Sequence, residues 1–558
     1  MSPCPPRSRC VARLTACLPL TVLATLYALY APCAAEAQDA ARMDAVARSY
    51  ADAKTFMGSV LVARDGNVLF SKSYGSANLE WEIPNTPTTK FRLGSITKQF
   101  TAASILLLEQ RGKLKTDDLV KVHMPDAPAA WGEIKIFHVL THTSGIPNFT
   151  SFPEYAKMEP FATPVADIVA TFRDKPLEFA PGERMSYSNS GYVLLGYLIE
   201  KISGQSYEQF VKENIFTPLG MKDSGYDSNS AVIARRASGY APGPGGPVNA
   251  GYINMSIPHG AGALYSTTED LLRWEQGLFG GKVLSAASLQ KMITPFKGDY
   301  AFGLFVQTGD GRQRIWHGGG IEGFNTSLAY YPASKVVTIA LSNVNGAAPD
   351  QITAQLGRIA HGDAVVLTNE RKEITLPREA LATLVGTYDL APQIKIMVTL
   401  DGTQLMTQLS GQPKIPVFAD SERSFFVKVV DAQLTFEKDE RGAVTAVVLH
   451  QGGRDQRAPR ASDTVLERKA VAVSPKILER YVGAYAFPQG MNMIVTLEGD
   501  QLVTQLGPQP KMPIFAESET SFFLKVVDAQ IEFKVDAAGK TTALALHQGP
   551  INIEAPRK

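Results

Sequence analysis

The chain has 558 residues, 45% apolar and 20% charged, with a formal net charge of +1. That is the composition of a globular protein with several domains, and with near-zero charge and no basic stripe nothing supports nucleic-acid binding. All four cysteines (Cys4, Cys10, Cys17, Cys33) lie in the first 33 residues, which excludes thiolate nucleophiles, thiolate metal sites and a disulfide framework from the rest.

Arg7, Arg9 and Arg13 precede an apolar run from Leu14 to Tyr30, and Ala35-Glu36-Ala37 offers a small-x-small site. This pattern reads as a secretory signal peptide over residues 1–37, hence a periplasmic or secreted protein. An uncleaved anchor is the alternative, although the run is short for a span and contains Pro19. No later segment reads as a membrane span. After a helical lead-in from Asp44 to Lys54, Gly58 to Phe70 reads as a hairpin turning at Asp65-Gly66-Asn67. Phe91 to Gly112, FRLGSITKQFTAASILLLEQRG, then passes from a short extended run through Gly94-Ser95 into a helix. The helix is apolar over too wide an arc for a surface position, which predicts burial. Thr141 to Pro147 and Pro181 to Gly191 read as loops, the second running into a helix from Tyr192 to Lys201. Gly239 to Pro258 is long enough to cover a site. Gly260 to Gly280 is helical in its second half, and strands are expected at Thr326–Tyr331 and Val336–Asn343. Strands at both ends and helices between them suggest an α/β layer whose sheet is closed by both terminal segments.

From Pro377 the texture changes to short alternating strands carrying an internal repeat. Thr387-Tyr388 matches Ala484-Tyr485, and Val430-Asp431-Ala432-Gln433 matches Val527-Asp528-Ala529-Gln530, each 97 residues on. Asp401-Gly402 and Glu498-Gly499 mark equivalent tight turns. Each copy reads as a small up-and-down antiparallel β-barrel, with Phe425-Phe426 and Phe522-Phe523 as barrel core and the polar segment Gly453–Ser474 as a linker.

Ser95 and Lys98 are three apart, on one face of the first turn of the buried helix. The positive end of the helix dipole and desolvation both disfavour a charged lysine there. A serine beside an unprotonated lysine is an activated nucleophile. Ser95 also has a structural reading as a helix N-cap, and the spacing recurs at Ser288 and Lys291. Tyr187-Ser-Asn189 recurs as Tyr252-Ile-Asn254, and His317-x-Gly319 recurs at His450 and His547. Order and context set the first set apart. Tyr187 lies directly before a buried helix, and His317 precedes a Gly-rich turn and an edge-like strand. His138 and His142 are four apart, but no Glu follows His138 and His142 sits in a loop. A hydrogen-bonding role beneath the site suits them better than zinc. Gly318–Gly320 lacks the Gly-Lys-Thr of a phosphate loop, and Trp131, Trp274 and Trp316 read as core or pocket wall.

Taken together, LGSITKQFTA, LTHTSGIP, PGERMSYSNSGYVLLG, GAGALYSTTEDLLRW and HGGGIEGF resemble the serine penicillin-recognising hydrolases over residues 45 to 360. That group comprises class C β-lactamases, D-alanyl-D-alanine carboxypeptidases, D-aminopeptidases and related esterases. The resemblance implies that Ser95 forms an acyl-enzyme and that Lys98 and Tyr187 share proton transfer. It also implies an oxyanion hole from the Ser95 and Gly320 amides, and substrate contacts from Asn189, His317, Gly318, Gly319 and Gly320. His317 departs from the Lys-Thr-Gly of class C β-lactamases, and His-x-Gly followed by two barrels is similar to the D-aminopeptidase branch. The expected protein is an exported serine hydrolase without metal or cofactor. Its α/β (α+β) β-lactamase-like domain (38–372) is followed by two tandem antiparallel β-barrels (377–460 and 475–558). Small peptides, amides or esters are the expected substrates, with D-amino-acid peptides favoured. The alternatives are a carboxylesterase, a weak β-lactamase and, in another class, a non-catalytic binding protein that uses the barrels.

Overall fold

The computed structural model describes residues 34–558 except 244, 310, 368–369, 393, 429–431, 452–453, 466–467, 488–490, 508 and 550. The expected signal peptide falls almost wholly outside them. Among the described residues no helix is long and apolar enough to cross a membrane.

Helix α1 (Ala34–Asp52) leads into strands β1 (Gly58–Arg64) and β2 (Asn67–Tyr74). Their two-residue connection has both residues left-handed, Asp65 at φ +47° and Gly66 at φ +82°, as the primed hairpin turns require. Helices α2 (Thr97–Gln110), α3 (Asn189–Ser203) and α4 (Thr268–Phe279) follow, with shorter turns between them. Strands β3 (Phe305–Gly309), β4 (Arg312–Ile321), β5 (Phe324–Tyr331) and β6 (Val336–Ser342) precede helix α5 (Ala348–Ala360). The strands form one six-stranded sheet in the order β3-β4-β5-β6-β1-β2, so the terminal segments do close it. β1 alternates between two cores, as strand geometry dictates. Val60 and Val62 pack with Met43, Val46, Ile352 and Leu356 of α1 and α5. Leu61 and Ala63 pack on the other face with Phe100, Leu106 and Trp274 of the helical side. Every residue of α2 from Thr97 to Leu108 is buried, which places the first turn of that helix, with Lys98, inside the molecule.

The repeats form two nearly closed antiparallel barrels. In the first, the opening strand Gly386–Ala391 pairs with the final strand Arg454–Ser462. In the second, Tyr485 bridges Arg557 to bring the ends together. The reading of Gly453–Ser474 as a linker is therefore corrected. Its first half is the strand that closes the barrel, polar where Arg457 reaches out to Glu437 yet burying Ala458 in the core. The interiors are packed with side chains, Tyr388, Phe425 and Phe436 in one and Tyr485, Phe522 and Phe533 in the other. The same devices recur 97 residues apart. Tyr388 donates to the Leu384 carbonyl and Tyr485 to that of Tyr481, both at 2.7 Å. Lys428 lies over Phe418 and Lys525 over Phe515. Arg371 pairs with Asp420 and Arg468 with Glu517, so each repeat includes the segment before its first strand.

Candidate active site

Ser95 lies in a single 3-10 turn, Gly94–Ile96, whose chain runs directly into α2. Its hydroxyl does not cap the helix, because Ile96 occupies the N-cap position. Lys98 Nζ lies 2.9 Å from Ser95 Oγ, and at the same distance donates to Asn189 Oδ1 and to the Ala261 carbonyl oxygen. The last two groups are obligate acceptors. A neutral amine has two N–H groups for them and one lone pair, which then faces the serine hydroxyl. Charge balance agrees, since Lys98 is fully buried and among the described residues no carboxylate pairs with it. Burial pushes its pKa well below the ordinary lysine value.

Asn189 is the first residue of α3, and Tyr187 stands two residues before it in the preceding loop. Lys98 Nζ sits 4.9 Å from the centre of the Tyr187 ring, and the phenol hydrogen-bonds with Ser95. Burial raises the Tyr187 pKa above that of a free phenol, only partly opposed by that hydrogen bond. Tyr187 therefore rests as a phenol.

The glycine run after His317 is not a turn, as its composition suggests, but lies inside strand β4. The turn comes later, at Glu322-Gly323, between Ile321 and Phe324. The glycines are there for close approach. A Cβ on Gly319 would run into the Leu93 carbonyl oxygen, and one on Gly318 would come within 3.2 Å of Asp350. Gly94 has φ +55°, and a Cβ there would stand 2.8 Å from the Gly320 amide nitrogen. The Gly320 amide thus lies directly beside the turn that carries Ser95.

His317 is buried and has both ring nitrogens engaged. Nδ1 is 2.6 Å from the Gly318 carbonyl oxygen and therefore carries the proton, leaving Nε2 to accept from Tyr300 Oη at 3.2 Å. Burial pushes its pKa down to about 3. The imidazole is neutral, with no free nitrogen to present to a substrate carboxylate. On the other wall, Asn189 Nδ2 donates to Thr150 Oγ1 at 3.4 Å. The segment beyond Thr150 reaches Glu159, whose carboxyl shares a hydrogen bond with Glu322, two residues past Gly320. Burial, then Glu322, raises the Glu159 pKa to about 7. Asn254 of the Gly239–Pro258 excursion meets this segment through its amide, which donates to the Glu159 carbonyl at 2.9 Å.

The competing motifs disperse. Ser288 bonds within its own helix start and Lys291 pairs with Glu109. Tyr252 is exposed, and His450 and His547 pair with Asp455 and Asn552 on the barrels. His138 Nδ1 accepts from the Lys135 amide, while His142 lies apart from it against Tyr187. Reasoning from the sequence missed Ala261, Tyr300 and Glu159. Ala261 contributes only a carbonyl. Its one signal is the glycine before it, where Gly260 packs backbone to backbone on Gly196.

This arrangement has relatives. The beta-lactamase family model matches residues 43–361, and a model for a domain of unknown function (DUF3471) matches 370–460 and 467–555. The chain belongs to the beta-lactamase family. It is similar to penicillin-binding protein 4* of Bacillus subtilis (strain 168), 30% identical over 433 residues, covering 73% of this chain and 95% of that one. The putative penicillin-binding protein PbpX of the same organism is 31% identical over 305 residues, 54% of this chain and 73% of its own. Among solved structures, the octameric penicillin-binding protein homologue from Pyrococcus abyssi aligns with a TM-score of 0.54 at 27% identity, covering 75% of this chain and 99% of that one. A D-stereospecific amidohydrolase from Streptomyces sp. gives 0.51 at 25% identity, covering 58% and 99%. Family and fold together make the protein a serine hydrolase.

Proposed function

We propose that the protein is an exported acyl-transfer hydrolase of small amides and peptides with an N-terminal D-amino acid, acting through Ser95. The observation that carries this reading is the lysine whose two N–H groups are committed to Asn189 and Ala261, leaving its lone pair for the serine proton. Ser95 Oγ attacks the substrate carbonyl carbon and its proton passes to Lys98. The oxyanion forms against the Ser95 and Gly320 amides. As the tetrahedral adduct collapses, the amine leaving group takes the Tyr187 phenol proton, and the Lys98 ammonium restores it to Tyr187. Water then attacks the acyl-enzyme with Lys98 taking its proton, and as that adduct collapses Lys98 returns the proton to the departing Ser95 Oγ, releasing the acid and free Ser95.

The substrate preference rests on charge. His317 offers no cation for a carboxylate beside the scissile bond, which disfavours β-lactams and carboxypeptidase substrates. The Glu159–Glu322 pair, whose Glu322 stands two residues along the chain from Gly320, supplies acidic charge that would favour a substrate with a free α-ammonium group. The relationship to a D-stereospecific amidohydrolase supports the D preference. The pattern from Arg7 to Ala37 supports export to the periplasm or medium. The test is p-nitroaniline release from D- and L-alanine p-nitroanilide by residues 38–558. Turnover of the D substrate, weaker on the L form and on N-acetylated D-alanine p-nitroanilide, is expected. Inertness to both anilides with cleavage of p-nitrophenyl esters would replace this reading with the carboxylesterase one, which the uncharged His317 wall also suits.

A further inference from the structure

His142 lies outside the chemistry just described, yet it touches Tyr187 in three separate ways. It follows the short helix Ile136–Leu140 and holds φ +55°, a conformation that side-chain-bearing residues rarely adopt. That turn aims its carbonyl at the Ser186 amide, which donates to it at 2.9 Å. It also brings Nδ1 to the Ser188 amide, which donates to it at 3.2 Å. The amides on both sides of Tyr187 are thus held by one residue. The third contact is ring on ring. The imidazole centre lies 4.3 Å from that of Tyr187 at 39°, and 4.6 and 5.0 Å from those of Tyr300 and Tyr192.

We propose that His142 is a positioning residue, which fixes the backbone and ring of Tyr187 so that its phenol stays aligned on Ser95. Because Nδ1 accepts from an amide, the ring proton is on Nε2, a buried nitrogen with no partner among the described residues. A protonated imidazole could not accept from Ser188 at all. Burial holds the His142 pKa well below its ordinary value, so the clamp persists through neutral pH. No other side chain offers the whole set. Phe would keep the stack and lose the acceptor. Asn tolerates the left-handed backbone and offers an Oδ1 to Ser188, but cannot stack.

The inference rests on Tyr187 acting in the reaction, and the test separates the two. kcat and KM are measured for wild type, His142→Phe, Tyr187→Phe and the double variant on D-alanine p-nitroanilide, or on p-nitrophenyl butyrate if only esters are cleaved. His142→Phe is expected to lower kcat about tenfold to a hundredfold, as small misplacements of a reacting group do, with KM changed less than about threefold. In the Tyr187→Phe background the same substitution is expected to change kcat less than about twofold, because its effect runs through the missing hydroxyl. His142→Asn should recover part of the loss, and it replaces His142→Phe in the cycle if the latter does not melt near the wild-type temperature. Losses that multiply in the double variant, or wild-type kcat in a folded His142→Phe, overturn the proposal. Full activity in Tyr187→Phe is a different failure, that of the role given to Tyr187.

Discussion

In the proposed mechanism Lys98 is the residue on which the chemistry turns, and its protonation gives a signed prediction. The reactive form is the neutral amine, whose pKa burial depresses. kcat/KM should therefore fall on the acid side, as Lys98 takes up a proton, and stay level on the alkaline side across the range where an ordinary lysine titrates. Lys98→Ala should cost about 10² to 10⁴ in kcat, the usual scale for a lost acid–base group, and Lys98→Arg should not restore it, because a guanidinium stays charged. A bell centred near pH 10 in the rate profile would contradict this. Gly94 supports a second prediction. Its left-handed φ, and the 2.8 Å that would separate an added Cβ from the Gly320 amide nitrogen, leave no room for a methyl. Gly94→Ala should separate the two oxyanion amides and lower kcat about 10²- to 10³-fold, read against an unchanged circular dichroism spectrum. Ser95 and Lys98 could be singled out in the sequence by order and context, with Tyr187 directly before a buried helix and His317 before the glycine run, which Ser288 and Lys291 lack. Ala261 could not, because a backbone carbonyl leaves no trace in residue type.

At the scale of elements, α4 carries a group with no catalytic use. It packs on β1 and β6, and Glu275 on its inner face is fully buried, with Oε2 lacking a partner among the described residues. Burial raises its pKa to about 8. With an unfolded value near 4.3, the folded state holds an extra proton between the two. This contribution is fully present below the unfolded pKa and is lost as pH rises through the folded one, a swing of about 5 kcal/mol at most. Glu275→Gln, which cannot ionise, should raise the melting temperature by several degrees at pH 9 and change it little at pH 5. No difference between the two pH values would show that the carboxyl is solvated. Element type was largely legible, as with the hairpin at Asp65-Gly66 and the buried run of α2, since period and turn chemistry are local. The strand character of Gly318–Gly320 was not. Three glycines signal a turn by composition, and only the Leu93 carbonyl against Gly319 and Asp350 against Gly318 show that they serve contact.

The whole molecule joins three separately cored units. The first barrel meets the catalytic domain near Asp299, Gln307 and Arg312, which line a cleft of about 480 Å³ with Asp455 and Gln456 of the barrel. The second barrel meets the first through the Pro413–Val527 bridge and the Gln548 side chain on the Gly411 carbonyl. Its core lies wholly within itself. Deleting residues 467–558 should therefore leave a folded enzyme with kcat/KM within about twofold of the full chain, as expected for domains with independent cores. A large loss would assign the second barrel a part in the site. The repeat was legible at this scale because its 97-residue offset has no gap, and the closing strand Arg454–Ser462 was hidden by the polar residues of its outer face. The most direct measurement is the intact mass of the protein after mixing with a p-nitrophenyl ester, wild type beside Ser95→Ala. One acyl group on the wild type, mapped to the peptide that contains Ser95, and none on the variant is the predicted result. An adduct on another residue, or turnover that survives in Ser95→Ala, would contradict the serine mechanism.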